Sequence, residues 1–157
     1  MIAVGAPAPE FLLPDQSGSF HTLDHLTENG ALLLVFYPGD FRMVCTKQLC
    51  AYQNYKSQFD QLGVQIVGIS ANVPKEHLSF AQEFEFSFPL LSDLNRAAAK
   101  AYGVISLLLL GGTGRAVFLI SKSGKVLYRY VEPTILSYRK PNELLTIAQQ
   151  FKKAGLI

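Results

Sequence analysis

Two cysteines, Cys45 and Cys50, are the residues of this 157-residue chain whose type and spacing could do chemistry. A thiolate, not a thiol, attacks an electrophile, so a reactive cysteine needs a helix N-terminus or a neighbouring cation that favours its anion. Cys45 follows an apolar run, Ala31 to Tyr37, that Pro38-Gly39 stops, and it precedes Leu49, Tyr52, Phe59 and Leu62 at helical spacing. It therefore falls in or beside the first turn of a helix, where unpaired N–H groups and the dipole favour negative charge. Arg42 and Arg115 are candidates for the cation. On an ideal helix five residues span about 7.5 Å of rise and ~140° of rotation, leaving the two Cα atoms ~8–9 Å apart. That exceeds the ~7 Å reach of a disulfide, so a Cys45–Cys50 bridge requires the helix start to unwind. The chemistry open to such a pair is oxidation of Cys45 to a sulfenic acid and condensation with Cys50. The spacing alone fits two small buried hydrophobes equally well.

The elements that must position Cys45 are legible around it. Ala31 to Tyr37 reads as a central strand covered on both faces, and a long helix runs from Cys45 to a stop at Gly63. A second strand, Val64 to Ser70, precedes a helix starting at Pro74 and reaching Phe84. Phe88 to Leu91 predicts a short strand, and Asn95 to Tyr102 a short helix closed by Gly103. Arg115 to Ile120 and Val126 to Val131 pair as a hairpin across Lys122-Ser123-Gly124-Lys125, and Asn142 to Lys153 closes the chain as an amphipathic helix. Phe11 to Leu13 and Phe20 to Leu23, either side of Gln16-Ser17-Gly18-Ser19, suit an N-terminal hairpin. This order predicts an α/β fold with a central, mixed sheet and helices on both faces. Sites in such sheets lie just beyond strand C-termini, where Cys45 falls.

Composition narrows the function classes. Apolar residues make up 49% of the chain and charged ones 17%, and no repeat or linker divides it, so one domain over 1–157 is expected. A net charge of +2 without a basic stripe argues against a nucleic-acid partner. The N-terminus has no basic segment leading into an apolar core, and no stretch is long enough to span a bilayer. A cytoplasmic protein without a membrane partner is predicted. His21, His25 and His77 have no spacing for a zinc site with two cysteines, and each reads as a surface or capping residue. Gly111-Gly112-Thr113-Gly114 precedes a strand rather than opening a helix, so it reads as a flexible turn and not a phosphate loop. Phe80, Phe84, Phe86 and Phe88 read as core.

The segment from Phe36 through Pro38, Arg42 and Cys45 to Thr46 resembles the active-site loop of peroxiredoxins: proline, three residues, threonine, two residues, cysteine. Cys45-Thr46-Lys47-Gln48-Leu49-Cys50 is similar to the peroxiredoxin Q, or bacterioferritin comigratory protein, subgroup of the AhpC/TSA superfamily. Phe88-Pro89-Leu90-Leu91-Ser92-Asp93, Ala99 to Val104, and Arg115 to Ile120 resemble further segments of the family, so the likeness covers most of the chain. It implies a thioredoxin-like fold and reduction of hydrogen peroxide or organic hydroperoxides without a metal or bound cofactor. By the same resemblance Cys45 is the nucleophile and Cys50 its resolving partner. By that resemblance too, Arg115 favours the thiolate and binds the peroxide oxygens, and Pro38 shields the thiolate. The implied partners are a hydroperoxide and thioredoxin or a similar dithiol, for a monomer or homodimer.

One departure bears on activity. Arg42 stands where the motif has threonine, and Met43 where this subgroup usually has proline. Arg42 either replaces the lost hydrogen bond with a charge-assisted one or crowds the pocket. The alternative function is therefore a redox sensor or binding module with weak turnover. General thiol–disulfide exchange fits less well, because it uses Cys-x-x-Cys. The short connection from Val104 to Gly114 predicts a more open pocket.

Overall fold

The computed structural model describes residues 2–157. Its first elements are β1 (Leu12–Pro14) and β2 (Phe20–Thr22), which pair antiparallel as expected. The Asp15 carboxylate closes their turn by accepting from the N–H groups of Ser17 and Ser19. Thr22 then caps α1 (Leu23–Thr27), its hydroxyl accepting from the N–H of His25 at 3.1 Å.

β3 (Ala31–Phe36) is buried along its whole length, as its unbroken apolar run predicts. The expected long helix is two: α2 (Met43–Asn54) and α3 (Lys56–Gln61). They part at Tyr55, whose backbone leaves helical geometry at φ −101°, ψ 1°. Asn54, a poor helix former, precedes the break. β4 (Val64–Ser70), α4 (Pro74–Phe84), β5 (Leu90–Ser92) and α5 (Ala97–Ala101) follow, each within a few residues of its expected bounds. The glycine-rich stretch is more ordered than a flexible turn, because β6 (Ile105–Ser106) pairs antiparallel with β7 (Gly112–Thr113). β8 (Ala116–Ile120), β9 (Val126–Val131) and α6 (Pro141–Lys153) complete the chain.

The main sheet has the order β5-β4-β3-β8-β9, with β3, β4 and β5 parallel and β8 and β9 antiparallel. Alternate residues of β3 feed opposite cores. Leu33 and Val35 pack with Leu49 and Tyr52 of α2, Phe80 of α4 and Leu144 of α6. Leu32, Leu34 and Phe36 pack with Leu23 and Leu26 of α1 and Ala98 and Ala99 of α5. Full burial of one such leucine is worth about 1.5–3 kcal/mol, so helices on both faces hold β3 as the rigid centre of the fold. Phe80, Phe86 and Phe88 are core, as expected, with adjacent rings 5.0–5.4 Å apart.

Candidate active site

Sheet pairing sets the site before any side chain is considered. β3 and β8 run antiparallel with Phe36 opposite Ala116, so the residue before β8, Arg115, lies beside the C-terminal end of β3. The chain leaving β3 stays in the sheet for one more bond, from the N–H of Tyr37 to the Ile69 carbonyl at 3.1 Å. Pro38 has no N–H to continue it. The loop then turns through Phe41, a non-glycine residue at φ +63°, and starts α2 with Arg42 as its N-cap.

Cys45 is the third residue of α2 and is 1% exposed. Its thiol sulfur accepts from Nη2 of Arg115 at 3.3 Å. Nη1 of the same guanidinium donates to Oε1 of Gln48, whose Nε2 donates to the Tyr52 hydroxyl at 3.1 Å. That hydroxyl donates to the Arg139 carbonyl at 2.7 Å. Cys45, Gln48 and Tyr52 share one face of α2 because they stand three and four residues apart. Arg115 is buried, and no carboxylate pairs with it among the described residues. The buried guanidinium is therefore satisfied on this side by the Cys45 sulfur and the Gln48 amide alone. Nε of Arg115 is buried with no protein partner, which leaves a donor for an incoming oxygen.

Pro38 and Arg115 line a cavity of about 270 Å³, walled by Val104, Leu107, Leu108 and Ile135. The short connection expected to leave the pocket more open lines it with Leu107 and Leu108, both of which are exposed. A larger cleft of about 400 Å³ lies beside His21, His25 and Gly30, at the N-terminal end of β3, away from both cysteines.

Arg42 does not join Cys45 and Arg115. Its side chain makes no capping hydrogen bond, and its Nε lies near Gly39, where an added Cβ would come within 3.0 Å of it. Only its carbonyl serves the helix start, accepting from the N–H and the hydroxyl of Thr46, both at 2.8 Å. The charge-assisted replacement for threonine is therefore not made. Cys50 sits half-buried further along the intact α2, and both cysteines are free thiols. Burial pushes the Cys50 thiol pKa up.

The histidine reading needs correction. His77 is fully buried in the first turns of α4, with Nδ1 2.7 Å from Oδ2 of Asp40 in the Cys45 loop and Nε2 donating to the Leu91 carbonyl at 3.0 Å. Burial and then the Asp40 charge hold the Tyr37 phenol well above its usual pKa, and its hydroxyl donates to Oδ1 of Asp40 at 2.7 Å. Tyr37, Asp40, Gln48, Tyr52 and His77 were not singled out as site residues from sequence. One signal was there for His77: it lies three and seven residues before Phe80 and Phe84, on the apolar face of α4.

The site is a buried cysteine at a helix start, held by a guanidinium just beyond the central strand of a thioredoxin-like sheet. Comparison with known proteins agrees. The AhpC/TSA family model matches residues 4–129. A putative peroxiredoxin bcp of Coxiella burnetii is 37% identical over 130 residues, covering 80% of this chain and 85% of that protein. A chloroplastic peroxiredoxin Q of Triticum aestivum is 33% identical over 129 residues, 82% of this chain but only 59% of its own length. Among solved structures, peroxidoxin BcpB of Mycobacterium tuberculosis superposes with a TM-score of 0.85 at 29% identity over 98% of both chains. Bacterioferritin comigratory protein of Xanthomonas campestris, described there for alkyl peroxide reduction, gives 0.82 at 26% identity, over 90% of this chain and 92% of that one. The chain belongs to the AhpC/TSA family, with the peroxiredoxin Q and bacterioferritin comigratory proteins as its relatives.

Proposed function

We propose that the chain, as one domain over 1–157, is a thiol-dependent peroxidase acting on hydrogen peroxide and organic hydroperoxides. The Cys45 thiolate attacks the distal oxygen of the hydroperoxide and the O–O bond breaks. Cys45 is oxidised by two electrons to a sulfenic acid, and the leaving alkoxide or hydroxide takes a proton to become an alcohol or water. Arg115 orients the peroxide and stabilises the charge that develops on the departing oxygen. Pro38 covers the thiolate. Cys50 then condenses with the sulfenic acid, releasing water and forming a disulfide, which an external dithiol such as thioredoxin reduces to two thiols. No helix among the described residues is long and apolar enough to cross a membrane, and a thiol cycle of this kind fits the reducing cytoplasm.

The observation that carries the reading is the buried 3.3 Å contact between the Cys45 sulfur and Nη2 of Arg115, a residue that with Pro38 also lines an apolar cavity. A second reading, a redox sensor with the same oxidation but weak turnover, draws support from Arg42, which stands in the motif's threonine position and offers no hydroxyl there. Peroxide consumption with a thioredoxin-type reducing system separates the two, using the natural protein, Cys45→Ser and Arg42→Thr. The peroxidase reading expects steady turnover that Cys45→Ser abolishes. Oxidation of Cys45 without turnover, restored by Arg42→Thr, gives the sensor reading.

A further inference from the structure

The Cys45 loop is gripped from a side that the thiol–guanidinium contact does not use. The side chains of Asp40 and His77 are wholly buried. Asp40 accepts from the Tyr37 hydroxyl through one oxygen and meets Nδ1 of His77 through the other, both at 2.7 Å. Its backbone N–H donates to Oδ1 of Asn72 at 3.0 Å. A carbonyl only accepts, so the contact with Leu91 fixes a hydrogen on Nε2 of His77. Both imidazole nitrogens are used, Nε2 on the Leu91 carbonyl and Nδ1 on Asp40 with the Tyr37 hydroxyl 3.4 Å away.

The next residue, Phe41, is held in the left-handed region at φ +63°, strained for an aromatic residue. Its ring lies 4.9 Å from that of Phe80. Helix α4 thus holds two consecutive loop residues, Asp40 through His77 and Phe41 through Phe80. The residue after them is Arg42, the N-cap of α2, which supplies no side-chain cap and is followed by no acidic residue in the first turn. The stability of the helix start at Cys45 is therefore lent by α4 rather than by its own capping.

We infer that His77 is a positioning residue for peroxide reduction: through Asp40 it holds the strained turn that keeps the start of α2 wound and Cys45 against Arg115. The inference rests on Cys45 being the nucleophile. Its consequence is specific, because the two halves of the cycle need opposite states of one helix turn. Oxidation needs the turn wound, with the sulfur against Arg115. Bridging to Cys50 needs it unwound. Loosening the His77–Asp40 contact lets Phe41 relax and shifts the balance toward the unwound form, slowing the first step and speeding the second. A general loss of stability lowers both rates together.

The test uses the full chain with His77→Leu, and with His77→Asn, whose amide still reaches toward Asp40. The reduced proteins are mixed with one equivalent of cumene hydroperoxide, quenched over time, and the sulfenic acid and disulfide are measured by mass spectrometry. With a buried hydrogen bond to Asp40 removed, His77→Leu is expected to oxidise about tenfold more slowly and to form the bridge about tenfold faster, while His77→Asn shifts each rate less. Rates that stay unchanged, or fall together, overturn the inference. Where His77→Leu does not fold, Tyr37→Phe removes only one hydroxyl from Asp40 and is expected to move the same rates about threefold, still in opposite directions. Amide exchange of residues 46–49, whose N–H groups close the first helical bonds of α2 beginning with Thr46 on the Arg42 carbonyl, decides the point without any activity: it quickens in the variants, and equal exchange overturns the inference. Failure of the natural protein to oxidise at Cys45 would remove the nucleophile reading alone, leaving exchange to judge His77.

Discussion

Cys45 and Arg115 stand 70 residues apart in the chain and meet because one strand pairing brings their backbones together. The same guanidinium donates to Gln48 through its other terminal nitrogen, which fixes its plane against the sulfur. Arg115→Leu should lower kcat/KM for peroxide by about 10²–10³-fold, the usual cost of one transition-state donor, while leaving the protein folded. Peroxide consumption with circular dichroism as the folding control checks both. Arg42 has the opposite character, since its side chain is exposed and caps nothing. Arg42→Thr should therefore add a capping hydroxyl, stabilise the protein by about 1 kcal/mol in denaturant unfolding, and slow bridge formation by holding the turn wound. At this scale sequence reasoning named Cys45, Cys50, Pro38 and Arg115, because their residue types stand out in a family motif, and the fold brings Cys45 and Arg115 into contact. It could not place Arg42, whose direction depends on the loop conformation. It also passed over Asp40 and Gln48, which look like solvated polar residues until the fold buries them.

Helix α2 carries both cysteines and, between them in sequence, Gln48. Gln48 lies between Cys45 and Cys50, so unwinding that joins the cysteines must also disturb the chain from Arg115 through Gln48 and Tyr52 to the Arg139 carbonyl. Gln48→Leu should leave a guanidinium N–H buried and unpaired, costing about 1–3 kcal/mol in denaturant unfolding and lowering the rate of Cys45 oxidation. Oxidation to the disulfide should quicken amide exchange in residues 43–50 and not in α4, and Cys45→Ser should show no such change on adding peroxide. Helical periodicity made most of these elements visible in the sequence. The break at Tyr55 was missed because Tyr52, Phe59 and Leu62 keep helical spacing across it. His77 was missed for a related reason: a polar residue on an apolar face can be recognised as core only when its buried partner, 37 positions away, is known.

Across the whole molecule the sheet turns a sequence of alternating strands and helices into one edge where chemistry can occur. That architecture was legible, since an unbroken apolar strand, flanking amphipathic helices and a closing hairpin leave few ways to bury every face. The cavity beside Arg115 was not, because Leu107, Leu108 and Ile135 come from two connections whose course no periodicity reports. Its apolar wall should favour hydroperoxides with a bulky carbon group. Leu108→Asp should lower kcat/KM for cumene hydroperoxide about three- to tenfold and leave that for hydrogen peroxide nearly unchanged, in parallel steady-state assays. The account as a whole stands on Cys45 as the first atom to be oxidised. The direct measurement is peptide mass spectrometry of the reduced protein after one equivalent of hydroperoxide, with a sulfenic-acid trap present or absent. The trap should label Cys45 alone, and without it a Cys45–Cys50 bridge should form within the same molecule. Peroxide consumed with Cys45 left as a free thiol, or the label appearing first on Cys50, would contradict it.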